Sequence, residues 1–101
     1  MQQEDITELL VKINEMCERI WRAEEVSMRE IGEFVQSAHP FFLKVVTILN
    51  EEPENWEIRD IFLNGINNIT EGLQYKDKML LADVLYYEIG SILALFVENG
   101  V

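Results

Sequence analysis

The last quarter of the chain constrains the fold most strongly, because it is the most apolar stretch and shows the clearest helical pattern. It runs from Lys76 to Gly100, and its apolar stripe comprises Leu81, Val84/Leu85, Ile92 and Leu95/Phe96. Apolar residues three and four positions apart lie on one face of an α-helix. We therefore predict a buried C-terminal helix, with Asp77 as its N-cap and Asn99-Gly100 as its C-cap.

Glu88 interrupts the apolar stripe of this predicted helix, one turn from Leu85 and one turn from Ile92. An unpaired carboxylate is costly to bury, so we expect Glu88, as a buried polar residue, to have a hydrogen-bond partner, or else to reach the rim of the core. The candidate partners are a tyrosine hydroxyl, Lys44 and His39. A structural hydrogen bond is the expected role of Glu88, and a functional role is the alternative.

The N-terminal third of the chain carries a second helical stripe. Apolar residues recur at helical spacing from Ile6 to Val35, and the opposite face holds acidic residues four positions before basic ones. We favour one continuous helix from Asp5 to about Ala38. The alternative is a separate second helix that starts at Ser27, because residues 27–30 match a capping box.

The length of this first helix leads to a prediction about assembly. A continuous helix from Asp5 to Ala38 would be roughly 50 Å long, whereas a globule of about 100 residues has a radius of gyration of only about 13 Å. Such a helix would overhang its own domain, and its apolar stripe would need a second chain. This argument predicts a homodimer, and it fails if the helix breaks at Ser27.

Two shorter helices are expected before the C-terminal one. His39-Pro40 should end the first helix, because the residue before a proline disfavours the α conformation, and Pro40 suits the first turn of a new helix. Residues 50–55 form a predicted loop, and Pro53 or Asn55 begins the third helix. The sequence thus predicts an all-α, up-down helical bundle of four to five helices with a long first helix, in a single domain over residues 1–101.

Charge and cysteine content restrict the partners and the compartment. The chain has 8 basic and 19 acidic residues and a net charge of −11, which repels phosphate backbones and anionic lipids. We therefore expect neither nucleic acid nor membrane as a partner. The longest uncharged apolar run, residues 89–97, is far shorter than the roughly 20 residues of a membrane span. A single cysteine excludes an intrachain disulfide, so we expect a cytoplasmic protein, and we predict no cofactor.

Two carboxylate pairs are the one arrangement that offers metal chemistry. Glu30 and Glu33, like Glu57 and Asp60, are one helical turn apart, and two such pairs on facing helices can hold Mg²⁺, which takes oxygen ligands. The pattern resembles the E-x-x-E…E-x-x-D motif of all-α nucleotide pyrophosphohydrolases of the MazG and dimeric dUTPase type. That resemblance implies a Mg²⁺-dependent phosphohydrolase, although no matching substrate motif follows Asp60. A solvated helix face is the simpler interpretation, so the enzyme stays as the alternative.

A second resemblance lies in the C-terminal helix. Residues 75–89 carry the pattern KD-x-x-LLAD-x-L-x-YE-I, which is similar to the tail of small, uncharacterised helical proteins from low-GC Gram-positive bacteria. This resemblance implies a helical fold and a bacterial cytosolic setting. It implies no particular activity.

The residues favour binding over catalysis. The sequence has no phosphate-binding, zinc or nucleophile-elbow motif, and Cys17 lies on an apolar stripe, where a buried role is expected. We therefore predict a non-enzymatic interaction or adaptor module that binds a protein or helical-peptide partner through an apolar helix face. Aromatic side chains dominate interface energetics, so the expected contact residues, any of which could instead belong to the core, are Trp21, Phe34, Phe41, Trp56, Tyr86 and Tyr87.

Overall fold

The computed structural model describes residues 3–99, which form helices and short connections without a strand. The first three helices are α1 (Gln3–Trp21), α2 (Met28–Glu51) and α3 (Trp56–Gln74), with a 3₁₀ turn at Pro53–Asn55 before α3. A C-terminal helix follows in three consecutive segments: α4 (Lys78–Asp83), a π-helical segment (Val84–Gly90) and α5 (Ser91–Asn99). The predicted all-α bundle is confirmed.

The C-terminal helix lies at the centre of the bundle, between α1 and α3. Its large, fully buried side chains are Leu81, Leu85, Ile89 and Leu93. Gly65 brings α3 close, because a Cβ atom at that position would lie 2.9 Å from Ile89 Cδ1. α2 packs mainly on α3, so α3 links it to the rest of the core.

The first helix ends at Trp21, so the favoured continuous helix to Ala38 is wrong and the alternative start at Ser27 is confirmed. Ala23 has a left-handed φ of 59°. Its amide donates to the Ile20 carbonyl, and the amide of the next residue donates to the Arg19 carbonyl, which is the Schellman pattern at a helix end. The usual signal for this motif is glycine. Alanine occupies that position here, so the sequence lacks the common marker of a helix C-terminus.

Removal of the α2 cap tests this boundary. The Ser27 hydroxyl accepts a hydrogen bond from the Glu30 amide at 3.0 Å. We expect Ser27→Ala to lower the free energy of unfolding by about 1 kcal/mol, the usual cost of a lost N-cap. Ser37→Ala is the matched control, because the Ser37 hydroxyl is exposed inside α2 and donates to the Phe34 carbonyl of the same helix instead of capping an end. Urea denaturation would contradict this boundary if the two variants were equally stable.

The break also removes the length argument for a homodimer. α1 has 19 residues, and the bundle has a longest extent of 40 Å and a radius of gyration of 13.2 Å. No helix therefore overhangs the described part of the chain in the way that the continuous helix would.

α2 continues through Pro40, so the prediction that His39-Pro40 ends a helix is wrong. A proline inside a helix costs roughly 3 kcal/mol. One buried stripe spans both sides of the proline, with Ile31 and Ala38 before it and Phe42 and Val45 after it. Burial of side chains such as Phe42 and Val45 contributes about 1.5–3 kcal/mol each, which is enough to keep the helix continuous. His39 and Pro40 are both exposed.

Of the remaining predicted helix boundaries, the structure confirms the N-cap at Asp77 and differs at the start of α3. Asp77 is the predicted N-cap of the C-terminal helix, and its side chain accepts from the Leu80 amide at 3.0 Å. Asn55 occupies the N-cap position of α3 but makes no side-chain cap bond, and Pro53 instead starts the 3₁₀ turn. The predicted C-cap at Gly100 lies outside the described residues.

The C-terminal helix is long and apolar enough to meet a simple criterion for a membrane-spanning helix. By length and composition alone, Lys78–Glu98 could cross a membrane, and its most apolar 18 residues have a mean hydropathy of 1.8. This stretch contains charged residues, so it differs from the uncharged run of residues 89–97 described above. Half of those 18 residues are buried inside the bundle, and core helices of soluble proteins meet the same criterion.

Candidate functional site

Three of the predicted contact residues meet on one surface, and we call Trp21, Tyr86 and Tyr87 the aromatic cluster. Trp21 ends α1, and the two tyrosines lie in the π-helical segment. The ring centroid of Trp21 is 5.1 Å from that of Tyr86 and 6.3 Å from that of Tyr87, and the two tyrosine centroids are 4.9 Å apart. Tyr86 is 40 % exposed and Tyr87 is 64 % exposed. The rings therefore form a contiguous apolar patch that water reaches.

The π-helical segment explains how two consecutive tyrosines can share one patch. Hydrogen bonds in a π-helix span five residues, so each residue turns less about the axis than in an α-helix. Neighbouring side chains such as Tyr86 and Tyr87 then project in more similar directions. The Ser91 hydroxyl donates to the Tyr87 carbonyl, where the helix returns to α geometry.

The two tyrosines stand at one end of a groove between α1 and the C-terminal helix, which we call the aromatic groove. The groove has a volume of about 330 Å³ and is lined by Leu10, Asn14, Tyr86, Tyr87, Gly90, Ser91 and Ala94. Beyond the two tyrosines, its C-terminal-helix side is made of the small residues Gly90, Ser91 and Ala94, which leaves room for side chains from outside. A second depression, lined by Glu4, Thr7, Glu8 and Val97, follows about one turn further along the same two helices.

The surroundings of the aromatic groove are acidic. Asp83 accepts a hydrogen bond from Trp21 Nε1 at 3.3 Å, so its carboxylate is held beside the aromatic cluster. Asp83 is exposed, and it takes part in none of the ion pairs found within residues 3–99. Glu4 lies at the opposite end of the paired helices, beside Val97. Acidic side chains therefore lie beyond both ends of the groove.

Cys17 lies beneath this surface and is 0 % exposed, as predicted for a small buried side chain. Its thiol donates to the Ala82 carbonyl at 3.3 Å. Burial, with a smaller effect of the Asp83 charge, raises the pKa of the Cys17 thiol from 9.0 to about 12. The thiol is therefore neutral at physiological pH and is a poor nucleophile.

This pKa shift predicts alkaline destabilisation. Because the folded pKa of Cys17 is about 12 and its ordinary value is 9.0, its contribution to stability is full below pH 9 and is lost as the pH rises toward 12. Between these values, the wild type should lose stability more steeply than Cys17→Ala, by up to about 1.4 kcal/mol per pH unit. Urea denaturation across this pH range measures both slopes, and equal slopes would contradict the shift.

The other three predicted contact residues lie outside the aromatic cluster. Phe34 and Phe41 are partly buried and line a small cleft of about 100 Å³ between α1 and α2. Lys44 Nζ lies 5.6 Å from the centroid of the Phe41 ring. Trp56 is 45 % exposed, and the Arg59 guanidinium lies 5.1 Å from its ring. Both sites thus already have a cation of the same chain over an aromatic ring.

Glu30 and Glu33, two of the proposed metal ligands, form ion pairs with arginine. The Glu30 carboxylate bonds to the Arg19 guanidinium and joins α2 to α1. This hydrogen bond, together with the charge of Glu30, raises the pKa of Arg19 above its ordinary value. Glu33 accepts from Arg29 Nε at 3.1 Å. Each carboxylate therefore already has a cationic partner within the chain.

The second carboxylate pair does not join the first. Asp60 pairs with Arg59 at 3.0 Å, and Glu57 is exposed on α3. Across the described residues, the structure gathers no group of three or more His, Cys, Asp or Glu side chains that could hold a metal ion. The proposed Mg²⁺ cage is therefore not assembled.

Glu88 is partly exposed, so the prediction that it is buried is wrong and the alternative, that it reaches the rim of the core, is confirmed. It does have a partner, as expected, because Asn68 Nδ2 donates to its two carboxylate oxygens at 3.2 and 3.4 Å. The partner is an amide on α3 instead of a tyrosine, Lys44 or His39. The contact links α3 to the C-terminal helix, which agrees with a structural role.

Comparisons of the chain with protein-family models, with curated proteins and with solved structures find no match. The functional argument therefore rests on the geometry and chemistry of the described surface. The similarity of residues 75–89 to a tail of Gram-positive helical proteins stays a prediction.

Proposed function

We propose that this protein is a non-enzymatic interaction module that binds a protein or helical-peptide partner along the aromatic groove. The exposed aromatic cluster beside a groove of small residues is the observation that carries the proposal. Aromatic rings contribute most to binding when a partner removes them from water. Phe42 and Phe62 are buried in this fold, whereas Tyr87 remains mostly in solvent, where it is available to a partner.

The state of the chemically reactive side chains also supports a binding role. Cys17 is buried and protonated, Glu30 is paired with an arginine, and Glu88 accepts from an amide on α3. Each of these groups is engaged in a contact that stabilises the bundle. The aromatic groove, in contrast, offers surface for binding and few groups for proton transfer or nucleophilic attack.

Site-specific photocrosslinking in the native host tests this proposal. A benzophenone amino acid at Tyr87 should give a discrete adduct with another protein. The same amino acid at Tyr75 is the matched control, because Tyr75 is also a tyrosine, is 70 % exposed and lies outside the groove. Ala94→Gln, which fills the groove without adding charge, should abolish the Tyr87 adduct. The same adducts from both positions, or none from Tyr87, would contradict the proposal.

A further inference from the structure

We infer that the partner segment in the aromatic groove is a basic amphipathic α-helix. This inference rests on the proposed function and names the chemistry of the partner. Its first support is the shape of the surface. The two depressions follow each other along α1 and the C-terminal helix, from Tyr87 to Ala94 and then to Val97. Successive depressions between two paired helices can receive successive apolar side chains of a third helix that packs along them.

The second support is charge complementarity. The chain has a net charge of −11, and the acidic residues Asp83 and Glu4 stand at the two ends of the paired helices. A basic helix would be attracted to this surface, because opposite potentials favour association. A second copy of this chain would bring another −11 to the same place, so self-association through the groove is disfavoured.

The third support is an unfilled cation position at the aromatic cluster. Phe41 has Lys44 near its ring, and Trp56 has Arg59. Within residues 3–99, no lysine or arginine makes a cation–π contact with Trp21, Tyr86 or Tyr87. These rings lie beside the Asp83 carboxylate, and aromatic faces together with a carboxylate attract an ammonium or guanidinium group. We therefore place a lysine or arginine of the partner helix over the aromatic cluster, with its apolar side chains along Leu10 and Ala94.

Three labelled peptides of about 18 residues, long enough for a helix of about 27 Å, test this inference. The first has a leucine face and a lysine/arginine face, the second replaces the basic residues with glutamate, and the third is a scrambled form of the first without an apolar face. Fluorescence anisotropy measures their affinity for the whole protein. We expect the first peptide to bind at least about tenfold more tightly than either of the others, and to weaken as salt screens the charges.

Matched tyrosine variants show whether binding uses the groove. We expect Tyr87→Ser to lower the affinity for the basic amphipathic peptide by about tenfold, as for an aromatic interface residue. Tyr75→Ser should change this affinity by less than about twofold. Circular dichroism establishes that both variants fold. Equal affinities for the three peptides, no measurable binding, or equal effects of the two variants would each overturn the inference. A Tyr87 crosslink to a partner without a basic helix would overturn this inference and leave the proposed function standing.

Discussion

Replacing Phe62 with alanine should lower the free energy of unfolding by about 3–5 kcal/mol, the usual cost of emptying an aromatic site in a core. Phe62 lies on α3 and is 0 % exposed. Its ring meets that of Phe42 on α2 edge to face, with the centroids 5.9 Å apart. Because α2 packs mainly on α3, the cavity would weaken the main attachment of α2. Urea denaturation followed by circular dichroism measures the change.

The next residue provides the control for Phe62→Ala. Leu63 is on the same helix but is 38 % exposed, so Leu63→Ala removes a side chain that fills no internal space. We expect its cost to be below about 1 kcal/mol. Similar losses for the two variants would mean that α3 presents a different face to the core.

The second large effect is expected at Gly72, where α3 meets the C-terminal helix. A Cβ atom at this position would lie 2.8 Å from both Cγ and Cδ2 of Leu81. Leu81 is 0 % exposed, so its side chain has no room to move away. We expect Gly72→Val to lower the free energy of unfolding by about 1–3 kcal/mol, which is typical of overpacking. Thermal and urea unfolding both measure it.

Gly32 gives a contrasting test of the same argument. It is also helical, but a Cβ atom there would meet nothing within 4 Å. Gly32→Ala should therefore stabilise the protein by up to about 1 kcal/mol, because alanine has the higher helix propensity. The packing account would be wrong if both substitutions changed the stability in the same direction.

The elements that followed from the sequence are those with strong local signals. The buried stripe of the C-terminal helix and the cap at Asp77 were predicted correctly, because periodicity and capping chemistry depend on nearby residues. Leu95 is the exception in that stripe, since it is 40 % exposed. The break after Trp21 was missed because Ala23 takes the left-handed position that glycine usually occupies. The helix through Pro40 was missed because burial on both sides outweighs the local cost of proline.

The candidate site was predictable only in part, for a similar reason. The sequence named Trp21, Tyr86 and Tyr87 among six aromatic residues, but it could not show which of them meet. Their meeting depends on the packing of α1 against the C-terminal helix and on the π-helical segment, for which we found no signal in the sequence. The Mg²⁺ hypothesis rested on the spacing of Glu30 and Glu33, and spacing did not show that arginines neutralise both.

The central claim is that the aromatic groove is the binding surface, and backbone amide shifts of ¹⁵N-labelled protein test it most directly. When the basic amphipathic peptide is added, the largest changes should occur at Leu10, Asn14, Tyr87, Ser91 and Ala94, together with the Trp21 indole. Amides on the exposed face of α2, around Leu43 and Thr47, should move little. Changes concentrated on α2, or spread evenly over the protein, would contradict the account.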